Sequence, residues 1–105
     1  MILTAGFNIY PAELERVLCM HPAVALSAVG SIPDEAKGEL AKAYVILRPG
    51  VQVSSESLIA HCREHLAAYK VPRAVQFVES VPMTASGKIV RRRLKGIDDG
   101  QRFAE

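Results

Sequence analysis

The sequence predicts an α+β fold: a small, mostly antiparallel sheet covered by two amphipathic helices, with a mobile lysine loop near the C-terminus. Three observations predict it. Two segments carry apolar residues at helical spacing. Residues 41–48 alternate well between two faces, as a strand does. The elements run helix, strand, loop, strand, helix, strand, then a mobile loop and a short helix, with no internal repeat and no low-complexity tract.

Residues 11–20 form the first expected helix, because Pro11 suits the first helical position, Leu14, Val17 and Leu18 make a stripe, and Pro22 stops it. Residues 24–29 are a short β-rich run. Residues 32–40 hold Pro33-Asp34-Glu35 and Lys37-Gly38, which is loop chemistry. In residues 41–48, Ala43, Val45 and Leu47 share one face, Tyr44 and Ile46 the other, and Pro49-Gly50 ends the strand. Ser54 or Ser55 can cap a second helix, with Glu56 in its first turn and Leu58, Ile59, Cys62 and Leu66 facing inward. Pro72 breaks the chain, and residues 74–79 read as a third strand. A last short helix begins after Lys88 and carries Arg91 to Lys95, followed by a polar, frayed end.

Composition narrows the classes. The 105 residues fit one domain, and half of them are apolar, enough for a core. A net charge of +2 is too small to imply nucleic-acid binding; the clustering of cations near the C-terminus matters more. No apolar run approaches the ~18 residues of a membrane span, and Met1-Ile-Leu-Thr lacks the basic flank and apolar stretch of a signal peptide. Cys19 and Cys62, far apart and without metal-ligand spacing, read as reduced core residues of a cytoplasmic protein.

Residues 82–95 say most about function. Ser86 and Gly87 make a flexible turn beneath Lys88, and Arg91, Arg92, Arg93 and Lys95 follow. A lysine on such a turn is a point charge on a long stem, suited to a phosphate or a carboxylate. Alone, Ser-Gly-Lys is also what many surface turns carry.

Three ordered blocks extend the signal. Gly6-Phe7-Asn8-Ile9-Tyr10-Pro11-Ala12-Glu13-Leu14-Glu15 resembles the segment just after the interdomain hinge of the adenylate-forming enzymes, the superfamily of acyl-CoA synthetases, luciferases and peptide-synthetase adenylation domains. Leu66-Ala67-Ala68-Tyr69-Lys70-Val71-Pro72 resembles that family's connection between second helix and third strand. Pro82-x-Thr84-x-Ser86-Gly87-Lys88-Ile89-x-Arg91-x-x-Leu94 resembles its C-terminal lysine motif, with Met83 replacing the usual basic residue. Asn8-Ile9-Tyr10-Pro11 and Tyr69-Lys70-Val71-Pro72 are similar to the forms found in acyl-CoA synthetases and fatty-acid–CoA ligases.

The resemblance implies a C-terminal lid domain over residues 1–95 with a polar tail over 96–105, and an N-terminal adenylation domain normally present in the same chain. It implies that the whole enzyme joins a carboxylic acid to AMP from ATP with Mg²⁺, then passes the acyl group to CoA. Lys88 would be catalytic in the first step. Gly6 and Phe7 would line the passage for the pantetheine arm of CoA, Gly87 would serve the cofactor side of the lysine loop, and Arg63 would meet a CoA phosphate or stay a solvated helix cation. No metal ligand, nucleic acid or membrane span is implied, and the isolated domain is expected to be inactive. A freestanding lid subunit and the lid of a luciferase-like or peptide-synthetase enzyme are the alternatives.

Two rivals come from other classes. His61-Cys62-Arg63-Glu64-His65 fits the inverted zinc-protease pattern H-x-x-E-H, but five residues carry little information and no third ligand stands at a plausible spacing. The plainer expectation is two polar residues on the helix's wet side. Arg91-Arg92-Arg93 could belong to a small basic nucleic-acid-binding module, but three Phe, three Tyr and no Trp leave it without aromatic platforms.

Overall fold

The computed structural model describes residues 2–94. Among them the chain runs β1 (Ile2–Thr4), β2 (Phe7–Ile9), α1 (Pro11–Cys19), β3 (Val24–Asp34), β4 (Gly38–Leu47), α2 (Ser55–His65) and β5 (Ala74–Phe77). Short 3-10 turns lie at Ala68–Lys70 and Arg91–Arg93. The fold is α+β with a mostly antiparallel sheet, as the sequence predicts. The tail at 96–105 and Lys95 lie outside the described residues.

β4 is the centre of the five-stranded sheet. β3 pairs antiparallel with it along its whole length, from Val24↔Leu47 to Asp34↔Gly38. On its other side β1 meets its first residue, at Thr4↔Gly38, and β5 runs parallel to it, from Lys42↔Ala74 to Val45↔Phe77. A parallel partner needs a long crossover, and α2 supplies it.

Two stretches differ from expectation. Residues 32–40 are a hairpin end rather than a loop: β3 continues to Asp34, β4 starts at Gly38, and only 35–37 turn. Asp34 Oδ2 closes the turn by accepting the Lys37 N–H at 2.9 Å. Pro33 is tolerated there because β3 is an edge strand, where a residue lacking an N–H can face outward. The second difference is the β1–β2 hairpin, absent from the sequence reading. Ala5 and Gly6 have φ of 48° and 83°, the two left-handed residues of the tightest hairpin loop. The Thr4 hydroxyl donates to the Glu39 carbonyl, and the Leu3 N–H donates to Glu39 Oε1 at 2.9 Å, tying the hairpin to β4.

The alternation of β4 divides the core between two faces. Ala43 and Val45 point into a cluster with Leu14, Val17, Leu18, Leu58 and Cys62, so both helices cover the same side. α2 is capped by Ser54, whose Oγ accepts the Ser57 N–H at 3.1 Å. Tyr44 points the other way, with Ala28 and Leu94, and Val78, Val81 and Ile89 close over them. The C-terminal segment, not a helix, therefore covers the second face. Gly30 permits this: a Cβ there would stand 3.1 Å from Leu94 Cδ1, so any side chain would press on the residue that anchors the segment.

The cysteines part company. Cys62 is buried, and burial pushes its thiol up to about 11. Cys19 is exposed rather than a core residue, because it falls off the Leu14–Val17–Leu18 stripe at the end of α1.

Three outcomes are expected. Leu94→Ala should cost about 2–5 kcal/mol in denaturant unfolding, whereas Met83→Ala, on the exposed side of the same segment, should change little. Brief alkylation of the native protein near pH 8 should modify Cys19 alone, read by mass spectrometry, with Cys62 reacting only after unfolding. Because the unfolded Cys62 thiol ionises before the folded one, stability should also decline as pH rises through that thiol's ordinary range toward about 11.

Candidate functional site

Lys88 stands at the end of a closed turn. Val90 N–H donates to Pro82 O at 2.9 Å, Met83 bridges Ile89, and Thr84 N–H donates to Lys88 O at 2.7 Å. Across the tip, Gly87 N–H donates to Thr84 O at 3.0 Å and Lys88 N–H to Thr84 Oγ1 at 3.0 Å. Ser86 Oγ lies 3.0 Å from the same hydroxyl. Gly87, with φ of 89°, takes the left-handed position that completes the turn. Thr84 thus organises the tip by hydrogen bonds a bare Ser-Gly-Lys would not reveal. The Lys88 side chain is exposed, and no ion pair engages it among the described residues.

Beneath the turn, Ile89 packs into the second core cluster and Arg91 forks onto Glu15 of α1, with Nη2–Oε1 at 2.6 Å and Nε–Oε2 at 3.2 Å. The expected short helix carrying Arg91 to Lys95 is a single 3-10 turn, Arg91–Arg93. Arg91 belongs to an ion pair rather than to a solvated cationic face; Arg93 is exposed.

The other candidates gather on the helix-covered side. Gly6 is the exposed tip of the β1–β2 hairpin, with open space where a side chain would be. Phe7 stacks on Tyr69 with ring centroids 4.6 Å apart. Next to Tyr69, the Lys70 ammonium is 3.0 Å from Glu13 Oε1, and the hydrogen bond to Glu13 raises its pKa above the ordinary range. A cavity of about 120 Å³ opens beside Phe7 and Tyr69, edged by Lys37 and Arg73. A larger groove of about 580 Å³ lies between Ile59 and Arg63 of α2 and Leu66, Pro72 and Arg73. Arg73 edges both. The sequence reading missed it, although it directly follows the Tyr69-Lys70-Val71-Pro72 block.

The H-x-x-E-H pattern finds its first histidine otherwise occupied. His61 is half-buried, not on the wet side, and its Nε2 donates to Val17 O at 2.8 Å, joining α2 to the end of α1. Its ring lies 5.3 Å from His21 and 4.8 Å from His65. No set of three His, Cys, Asp or Glu side chains among the described residues is placed to hold a metal ion. No helix among them is long and apolar enough to cross a membrane.

Comparison with known proteins places these residues in context. Residues 13–88 match the sequence profile of the AMP-binding enzyme C-terminal domain. The chain is 46 % identical over 94 residues to a long-chain-fatty-acid–CoA ligase of Bacillus subtilis, covering 90 % of this chain and 17 % of that protein. It is 42 % identical over 95 residues to a feruloyl-CoA synthase of Amycolatopsis, covering 90 % of this chain and 19 % of that protein. A fatty acyl CoA synthetase of Mycobacterium tuberculosis superposes with a TM-score of 0.87 at 38 % identity, over 96 % of this chain and 20 % of the other. The chain spans about a fifth of the length of the relatives it matches.

Proposed function

The chain belongs to the family of AMP-binding enzyme C-terminal domains, and from that premise we propose that it is the lid of an ATP-dependent carboxylate–CoA ligase, supplying the lysine for acyl-adenylate formation and part of the CoA passage. The observation that supports this reading is the division of candidates between the two faces of one sheet. Lys88 rises from the segment over Tyr44 and Leu94, whereas Gly6, Phe7, Arg63 and Arg73 lie with the elements that pack on the helix side.

Forming an acyl-adenylate brings a carboxylate oxygen against the α-phosphate of ATP, so two anions approach one another. A cation aimed at both lowers that barrier, and does so most where water is excluded. Lys88 has the reach and the free ammonium for this. Thioester formation needs different groups: a passage for the pantetheine arm and cations for the phosphates of CoA. Gly6 and Phe7 suit the first, with Gly87 left to the lysine side. Arg63 and Arg73 suit the second, since guanidinium forks match phosphate. One rigid domain with both sets, on opposite faces, serves both steps by rotating between them.

On this reading Mg²⁺ and most contacts to ATP fall to the N-terminal adenylation domain, the partner it requires. That domain also selects the acid, whether long-chain, medium-chain, aryl or dicarboxylic. A cytoplasmic setting belongs to the same proposal.

Two measurements test it, on the chain joined to the adenylation domain of a relative. Lys88→Ala should slow acyl-adenylate formation by ~10²–10³, as loss of one electrostatic donor does, while preformed acyl-adenylate and CoA still give thioester at near the parent rate. If both half-reactions fall together, Lys88 holds structure and the proposal fails. Arg63→Ala should raise the KM for CoA roughly ten- to hundredfold and leave that for ATP unchanged, with Arg73→Ala moving it the same way. An unchanged CoA KM in both would make them surface cations.

A further inference from the structure

Lys88 can act only if its ammonium is delivered to one place, and its own turn does not guarantee that. The tip at 84–88 is closed by hydrogen bonds within itself, so it is a rigid unit whose direction is set by its base. Two contacts define the base: the apolar seat of Ile89 and Leu94 on the sheet, and the fork of Arg91 on Glu15.

Glu15 is unusual among the acidic residues. Its side chain is only 13 % exposed, and Oε2 accepts both Arg91 Nε and the Val29 N–H, the latter at 2.8 Å. Its backbone carbonyl accepts the Ser27 hydroxyl at 3.0 Å. Val29 and Ser27 lie on β3, the edge strand, and α1 packs along it. The carboxylate is therefore held to the sheet by contacts that do not involve Arg91. Arg91 comes from the segment on the opposite face, so the pair closes round the sheet edge and joins the two layers.

We infer that Glu15 and Arg91 form a positioning latch for Lys88, setting the direction of the lysine turn relative to the sheet. This rests on the reading of Lys88 given above. The chemistry requires a paired fork: two parallel charge-assisted hydrogen bonds fix orientation, whereas a single ammonium contact fixes only distance. Displacement of a catalytic group by about 1 Å is enough to cost up to ~10²-fold in rate. Arg91 is assigned a positioning role that acts through Lys88 and not a contact with substrate, its Nε and Nη2 facing Glu15.

The test is a double-mutant cycle in the joined enzyme, with Glu15→Gln, Arg91→Met and both together, plus Arg91→Lys. Glu15→Gln keeps an acceptor for the Val29 N–H and removes the charge. Each single change should slow acyl-adenylate formation by about tenfold at unchanged ATP KM, the double should be no slower than the worse single, and Arg91→Lys should not restore the rate. Thioester formation from preformed acyl-adenylate should keep its rate throughout. In the same proteins, amide exchange at Val90 and Leu94, whose hydrogen bonds to Pro82 O and Arg91 O form the base of the turn, should quicken equally in the singles and the double. Losses that multiply, rescue by Arg91→Lys, or both half-reactions failing together would overturn the latch. Lys88→Ala, run alongside, separates the two ideas. If it leaves adenylation intact, the reading of Lys88 is lost and the latch is judged by exchange alone: faster exchange supports it and unchanged exchange refutes it.

Discussion

The fold depends on one constraint, the period-two alternation of β4, which must satisfy two cores at once. Ala43 and Val45 are small enough for both helices to sit close on one side, while Tyr44 fills the other with a single large ring. A one-residue slip would exchange these faces, placing Tyr44 under the helices and leaving Leu94 over alanine and valine. The full-length pairing with β3 holds the register, and the parallel pairing with β5 checks it from the other side. Every candidate functional residue is placed by reference to that strand: one group follows from the residues above Tyr44, the other from the elements against Ala43 and Val45.

Much of this was legible in the sequence, for a physical reason that also explains the rest. α1, α2 and β4 are long enough to show a period, and each has punctuation at its ends, with Pro11, Ser54 and Pro49-Gly50 as the signals. The β1–β2 hairpin has three-residue strands, with Leu3 and Phe7 exposed on them, so neither alternation nor burial marks it. Ala5-Gly6 was the available cue, a weak one because alanine is not a usual left-handed residue. At 32–40 Pro33 and Gly38 resembled loop chemistry, and the mistake was to treat a tolerated edge-strand proline as a breaker.

The site divides in the same way. The turn that carries Lys88 could be read because its residues are contiguous in sequence. The fork between Glu15 and Arg91 could not, since its partners are 76 residues apart and each alone is an ordinary surface charge. The same holds for Arg73, which gains meaning only beside Arg63 in a groove. His61 shows the converse error. Its spacing to His65 suggested metal chemistry, whereas the fold uses the ring as a second donor, beside the Met20 N–H, to the Val17 carbonyl near the end of α1. Local motifs advertise chemistry, but only the fold decides which polar groups remain free to perform it.

The free margin of β3, the end strand of the sheet, shows a further consequence of the Glu15 contact. An edge strand offers a row of backbone donors and acceptors that a second chain can extend into a longer sheet. Here the Val29 N–H is taken by the Glu15 carboxylate, α1 lies along the strand, and Pro33 contributes no donor farther on. At Val29 the outward donor of the edge is therefore held by a carboxylate. Glu15 thus takes up, within the chain, an edge donor that strand pairing would otherwise use.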